Sequence, residues 1–241
     1  MTHKITKYLI LATGALCLSA IPALADSACT ATNLGNYVDS MYGGTASSSF
    51  SCSVTSDGVT LDFSNFTYTP GGSTQIAADD IGVSAVTTPD GPGLNFDPAA
   101  SISSGTEDVE IGFTVTAEGG ADLSDIYIDL ANVLTTGTGT VTYDEEFCGG
   151  MENECSLYVE APATDDVNSV NLSNTAIGGP VTSLTITKDV LLSAGTAGTA
   201  STTGFLNEYS TVPEPRGVSM LLGLGLLAGF VVFKRRQVVQ S

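Results

Sequence analysis

The stretch "VEIGFTVT", Val109 to Thr116, decides what kind of chain this is. Val109, Ile111, Phe113 and Val115 fall on one side of an extended backbone. Glu110, Gly112, Thr114 and Thr116 fall on the other, which is the two-residue period of a strand with one dry face and one wet face. Outward from it, "SDIYIDLA" from Ser124 repeats the pattern, with Ile126, Ile128 and Leu130 opposite Asp125 and Asp129. "VTLDFSNFTYT" from Val59, "IGVSAVTT" from Ile81, "GTVTYD" from Gly139, "SLYVE" from Ser156 and "VTSLTITKDVLL" from Val181 are further runs of the same kind. Turn clusters separate them: "TPGGS" at Thr69, "TPDGPG" at Thr88, "SSGTED" at Ser103, "AEGGAD" at Ala117 and "TTGTG" at Thr135. No segment ahead of the last thirty residues sustains a helical period. The expected fold is therefore all-β, an antiparallel β-sandwich of jelly-roll type over residues 26–192. Residues 193–211, opening with "SAGTAGTASTTG", read as a Gly/Ser/Thr-rich linker with room for one last strand at Gly204 to Tyr209.

Charge is distributed one-sidedly. All 26 carboxylates lie between Asp26 and Glu214, and the single Lys or Arg in that span is Lys188. Such a surface repels phosphates, which excludes nucleic acid as a partner, and it calls for screening by cations. The only histidine, His3, sits in the first few residues, so Ser-His-Asp and Cys-His machinery and histidine-bound metals are absent from the body of the chain. Paired carboxylates for glycoside cleavage remain chemically conceivable, but no pair among so many acids is singled out and there is no Trp to form a sugar platform. The expectation is a protein that is not an enzyme.

Calcium is the one ion these acids could take, through hard oxygen ligands. The densest set is "YDEEFCGGMENEC", with Asp144, Glu145, Glu146, Glu152 and Glu154 around a short cysteine loop. A second is "DLSDIYID", with Asp122, Asp125 and Asp129. Neither matches the EF-hand loop, and a solvated acidic hairpin is the plainer reading of the first. No other cofactor is expected.

Both ends are apolar. Lys4 and Lys7, the uncharged run Tyr8 to Ala20 and the small-residue pattern Ala23-Leu24-Ala25 make residues 1–25 a secretory signal peptide. Four cysteines follow it: Cys29, Cys52, Cys148 and Cys155. Four allow three pairings, and closeness in sequence favours Cys29 with Cys52 and Cys148 with Cys155, stabilising by roughly 3.5 and 2.5 kcal/mol on the chain-entropy model. At the other end, Gly217 to Phe233 is a run of 17 uncharged residues, about 26 Å as a helix and enough for one transmembrane span. The basic stop Lys234, Arg235 and Arg236 follows at once and orients the acidic domain outside the cytoplasm.

Val212-Pro213-Glu214-Pro215, the Leu/Gly-rich span and the basic cluster together resemble the PEP-CTERM sorting signal over residues 212–237. The resemblance implies an exosortase-like membrane protease as partner and cleavage near the motif. It also implies transient anchoring in the inner membrane and delivery to the cell surface or to extracellular matrix rich in exopolysaccharide. The prolines hold Val212 to Pro215 extended, the form a protease threads. "SCSV", "LDFSNFTYTPGG" and "GPGLNF" look like stretches of the passenger domains carried by such tails, which implies a β-sandwich. Two functions follow as expectations: an exported, surface-sorted matrix protein, or a glycan- or calcium-binding module displayed by the same tail.

Overall fold

A computed structural model describes residues 27–38, 44–45, 50–149, 154–164 and 167–213. The expected signal peptide at 1–25, Glu152, Glu214, Pro215, the apolar span 217–233 and Lys234 to Arg236 lie outside the described residues. Among those described, no helix is long and apolar enough to cross a membrane.

Among the described residues sixteen strands run in order: β1 (Thr32–Asn33), β2 (Gly44–Thr45), β3 (Cys52–Ser56), β4 (Val59–Gly72), β5 (Gly82–Thr88), β6 (Gly91–Asp97), β7 (Ala100–Ile102), β8 (Thr106–Ala117), β9 (Ala121–Ala131), β10 (Leu134–Thr136), β11 (Thr140–Gly149), β12 (Glu154–Glu160), β13 (Val167–Asn171), β14 (Ser183–Ser193), β15 (Thr199–Thr202) and β16 (Gly204–Pro213). Every named strand pair is antiparallel. One large sheet runs β12-β11-β14-β8-β4-β2, with β3 also pairing with β4. The other runs β1-β5-β6-β16-β9-β13, and a three-stranded sheet β10-β15-β7 stands beside them. The all-β antiparallel sandwich expected from the alternation is the observed fold.

The two large sheets face each other across an aromatic core. Phe113 of β8 lies 5.7 Å from Phe96 of β6 and 5.9 Å from Phe66 of β4, and Phe96 lies 5.6 Å from Phe205 of β16. All four rings are buried. One irregularity makes this possible. In β4, Leu61 and Phe63 point inward, and strict alternation would then turn Phe66 and Tyr68 outward. The register shifts between Ser64 and Thr67, with Asn65 in the left-handed region at φ 55°, so Phe66 and Tyr68 return to the core.

Cys29 and Cys52 pair, as do Cys148 and Cys155. The first bond ties the leading segment to β3, and the second joins directly opposed residues of β11 and β12. Disulfides of this kind fit an oxidising compartment outside the cytoplasm.

The last strand expected at Gly204 to Tyr209 is present as part of β16, while the expected linker ahead of it is corrected. Ala194, Ala200 and Thr202 are buried, Thr199–Thr202 is a strand, and Gly204–Pro213 is an interior strand between β6 and β9. Small residues there serve close packing: a Cβ on Gly198 would meet Thr136 O at 2.2 Å, and one on Gly139 would meet Thr199 O at 2.0 Å. Composition alone made tight packing look like looseness. Phe113→Ala is expected to destabilise the domain by about 3–5 kcal/mol in denaturant unfolding, because the cavity opens between two sheets that cannot close on it.

Candidate functional site

Three of the acids expected to ring a calcium loop, Asp144, Glu145 and Glu146, fall on opposite faces of one strand. In β11, Val141, Tyr143, Glu145 and Phe147 face the core while Asp144 and Glu146 face out. Glu145 is fully buried and its carboxylate is occupied by three side chains. Lys188 Nζ of β14 lies 3.0 Å from Oε2, the Tyr143 hydroxyl donates to the same oxygen, and Asn207 Nδ2 of β16 donates to Oε1 at 3.1 Å and Oε2 at 3.2 Å. Lys188 also donates to the Tyr143 hydroxyl at 3.0 Å, and its ammonium stands 5.6 Å from the Tyr143 ring centre and 5.7 Å from that of Phe205. Burial pulls the Lys188 ammonium below its ordinary pKa against the opposing pull of Glu145, and burial pushes the Tyr143 and Tyr209 hydroxyls well above theirs. Glu145 is therefore no metal ligand.

Glu152 lies outside the described residues, and the other described members of that set do not converge either. Glu146 lies near the sulfurs of Cys148 and Cys155, but both sulfurs are spent in a disulfide and offer no thiolate. Glu154 is exposed. Asp144 belongs to a ladder across the outer face, where it stands opposite Asp189, which in turn stands opposite Glu110. Burial, a hydrogen bond with Asp108 and the charges of Asp108, Glu110 and Asp144 raise the Asp189 carboxyl to about 7. Of the second set, Asp122 takes a hydrogen bond from Thr182. Asp125 is pushed up by burial, yet hydrogen bonds from Ser210, Ser124 and Asn171 outweigh it and hold the carboxyl below its usual range.

Asp129 joins a site that sequence reasoning missed. On the outer face of the β16 sheet, Thr88, Asp90, Tyr127, Asp129, Leu206 and Glu208 line a cavity of about 220 Å³. Antiparallel pairing sets Glu208 directly opposite Tyr127 and Leu206 opposite Asp129. On the other flank Glu208 faces Gly93, where a Cβ would strike Asn207 O at 1.9 Å, so no side chain can fill the space beside it. Glu208 is only 4 % exposed, and its Oε1 is buried without a hydrogen-bond partner. Burial raises its pKa first, and the charges of Asp90 and Asp129 add to this against a hydrogen bond from Thr88. A buried carboxylate oxygen with unshared lone pairs, beside two more carboxylates and a tyrosine, has the chemistry to accept a hard cation or the hydroxyls of a ligand. The signal was scattered over a turn, an interior strand and the supposed linker, so no local cluster advertised it.

No family model matches this chain, and comparison with curated proteins finds no match. Among solved structures it is similar to a carbohydrate-binding module, TmCBM61, in complex with β-1,4-galactotriose, at 11% identity and a TM-score of 0.32 over 59% of this chain and 88% of that one. It is also similar to the enzymatically active domain of bacteriophage CBA120 tailspike protein 4, at 12% identity and a TM-score of 0.26, over 61% of this chain and 20% of that one. At such scores neither likeness speaks to ligand or activity.

The acid ladder has a consequence for pH. Asp189 binds its proton more tightly folded than unfolded, so its contribution is fully present below about pH 4 and is lost as pH rises through about 7. Melting temperature at constant ionic strength is expected to fall between pH 5 and pH 8, and Asp189→Asn is expected to flatten most of that fall. Equal slopes for the two proteins would show that the ladder is not its source.

Proposed function

We propose that this chain is an exported, non-enzymatic domain sorted to the cell surface or matrix by its C-terminal tail, and that its outer-face cavity takes a hard divalent cation such as calcium. The observation that carries the cation is the Glu208 oxygen, buried and unpartnered beside Asp90 and Asp129. The charge inventory supports it: the one Lys or Arg between Asp26 and Glu214 is sealed in the core, so this part of the chain brings no basic side chain to its own surface. Cations must come from solvent, and a divalent ion held at the surface can also bridge the domain to polyanionic exopolysaccharide. A glycan-binding module is the second reading, favoured by the Tyr127 wall of the same cavity.

The tail reading gains a physical detail. Val212 and Pro213 close β16, opposite Asp122 and Ala121 of β9. On this reading the first two residues of the motif belong to the folded domain, and a membrane protease would act close to the end of β16. Replacing Pro213-Glu214-Pro215 by alanines is expected to leave an unprocessed membrane species on immunoblots of cell fractions; normal processing of that variant would remove the motif from the account.

For the cavity, calcium at about a hundred times its Kd should add about 2.7 kcal/mol, roughly 5–10 °C in melting temperature for a domain of this size. Sodium chloride of equal ionic strength should give a much smaller rise, and Glu208→Gln should abolish the difference. Equal effects of the two salts would reduce the role of cations to screening.

A further inference from the structure

The polar cluster in the core holds an unused chemistry. Lys188, Glu145 and Asn207 are all fully buried, and they bring an amine, a carboxylate and a primary amide together inside an apolar sandwich. Lys188 Nζ and Asn207 Nδ2 both sit on one oxygen, Glu145 Oε2, at 3.0 and 3.2 Å. The amide oxygen Asn207 Oδ1 and the Tyr209 hydroxyl, two residues along the same inward face of β16, are buried without hydrogen-bond partners. A purely structural ion pair has no need of this. Orphaned buried polar atoms carry the full cost of leaving water, and a buried pair is commonly no better than an apolar replacement.

We propose that Lys188 and Asn207 form an intramolecular amide cross-link across the sandwich, with Glu145 as its proton carrier. The Nζ lone pair bonds to Asn207 Cγ as the Cγ–Nδ2 bond breaks. Of the three protons on the Lys188 ammonium, one stays on the new amide. Glu145 carries the other two to Nδ2, which leaves as ammonium, so charge is conserved and no redox partner enters. Both nitrogens that must lose or gain protons already touch the carrying oxygen, which is the geometry general acid–base catalysis requires. Desolvation lowers the Lys188 pKa and favours the neutral, nucleophilic amine. Negative charge would develop on Oδ1, and the Tyr209 hydroxyl, buried without a partner on the same inward face of β16, is an O–H donor free to meet it; fixed proximity in the core supplies the effective concentration. The bond would clamp β14 of one sheet to β16 of the other.

The sequence offers an unusually clean assay. Lys188 is the only Lys or Arg between Asp26 and Glu214, hence the only trypsin site in that span. The full chain, purified oxidised and then reduced, denatured and digested, is expected to resist cleavage after Lys188. Peptide mass spectrometry should find Lys188 joined to Asn207 with the mass of one ammonia missing. Lys188→Arg cannot form the bond and should be cut there. Cleavage of the wild-type chain after Lys188, with peptides of full mass, would overturn the proposal. So would an ammonia loss confined to Asn207 alone, which would mean succinimide formation and no cross-link.

Discussion

The fold turns on one cation in the wrong place. A chain with 26 carboxylates and a single lysine in its body would be expected to spend that lysine on the surface, yet Lys188 is buried at the centre of the sandwich. Leaving water is costly for an ammonium, and what offsets the cost is Glu145 at 3.0 Å, the Tyr143 hydroxyl and two aromatic rings. Because β11 and β14 contribute the pair and β16 contributes Asn207, the cluster fixes how one sheet sits over the other. Aromatic contacts fill the space between the sheets, but they tolerate sliding; directional hydrogen bonds to one carboxylate do not.

The outer faces follow the opposite rule. Carboxylates accumulate there without counterions from the chain, and they respond in two ways. Asp108, Glu110, Asp144 and Asp189 crowd until one holds a proton near neutral pH. Around Glu208 the acids leave an opening, with Asp90 and Asp129 beside a buried carboxylate oxygen that has no hydrogen-bond partner. Like charges set directly opposite on neighbouring strands weaken a sheet, so both arrangements make the stability of this domain depend on its medium.

Much of this was legible as period two. The alternation of "VEIGFTVT" gave β8 and its buried face, and the same arithmetic extended along β11 would have put Glu145 in phase with Val141, Tyr143 and Phe147. Lys188 shares its phase with Ile186 and Val190, and Asn207 with Phe205 and Tyr209. Three polar residues at inward positions of three strands were therefore a readable sign of a buried cluster, hidden because acidic density suggested a loop. The β4 bulge was visible as the break between Phe63 and Phe66. What could not be read was pairing between distant strands: nothing local places Asp90, Asp129 and Glu208 together, since strand order follows from the whole topology. The Gly/Ser/Thr-rich approach to β16 misled because small residues mark both slack chain and the tightest backbone contacts.

The strand that joins β6 to β9 is the last one among the described residues. A polypeptide emerging amino end first therefore spends most of its synthesis as an unfinished sheet, with two interior edges bare until residue 213 has appeared. Bare edges recruit other strands. Removing β16 from this design would therefore expose the edges of β6 and β9 together, so the final strand completes the sheet and leaves no smaller closed domain behind it.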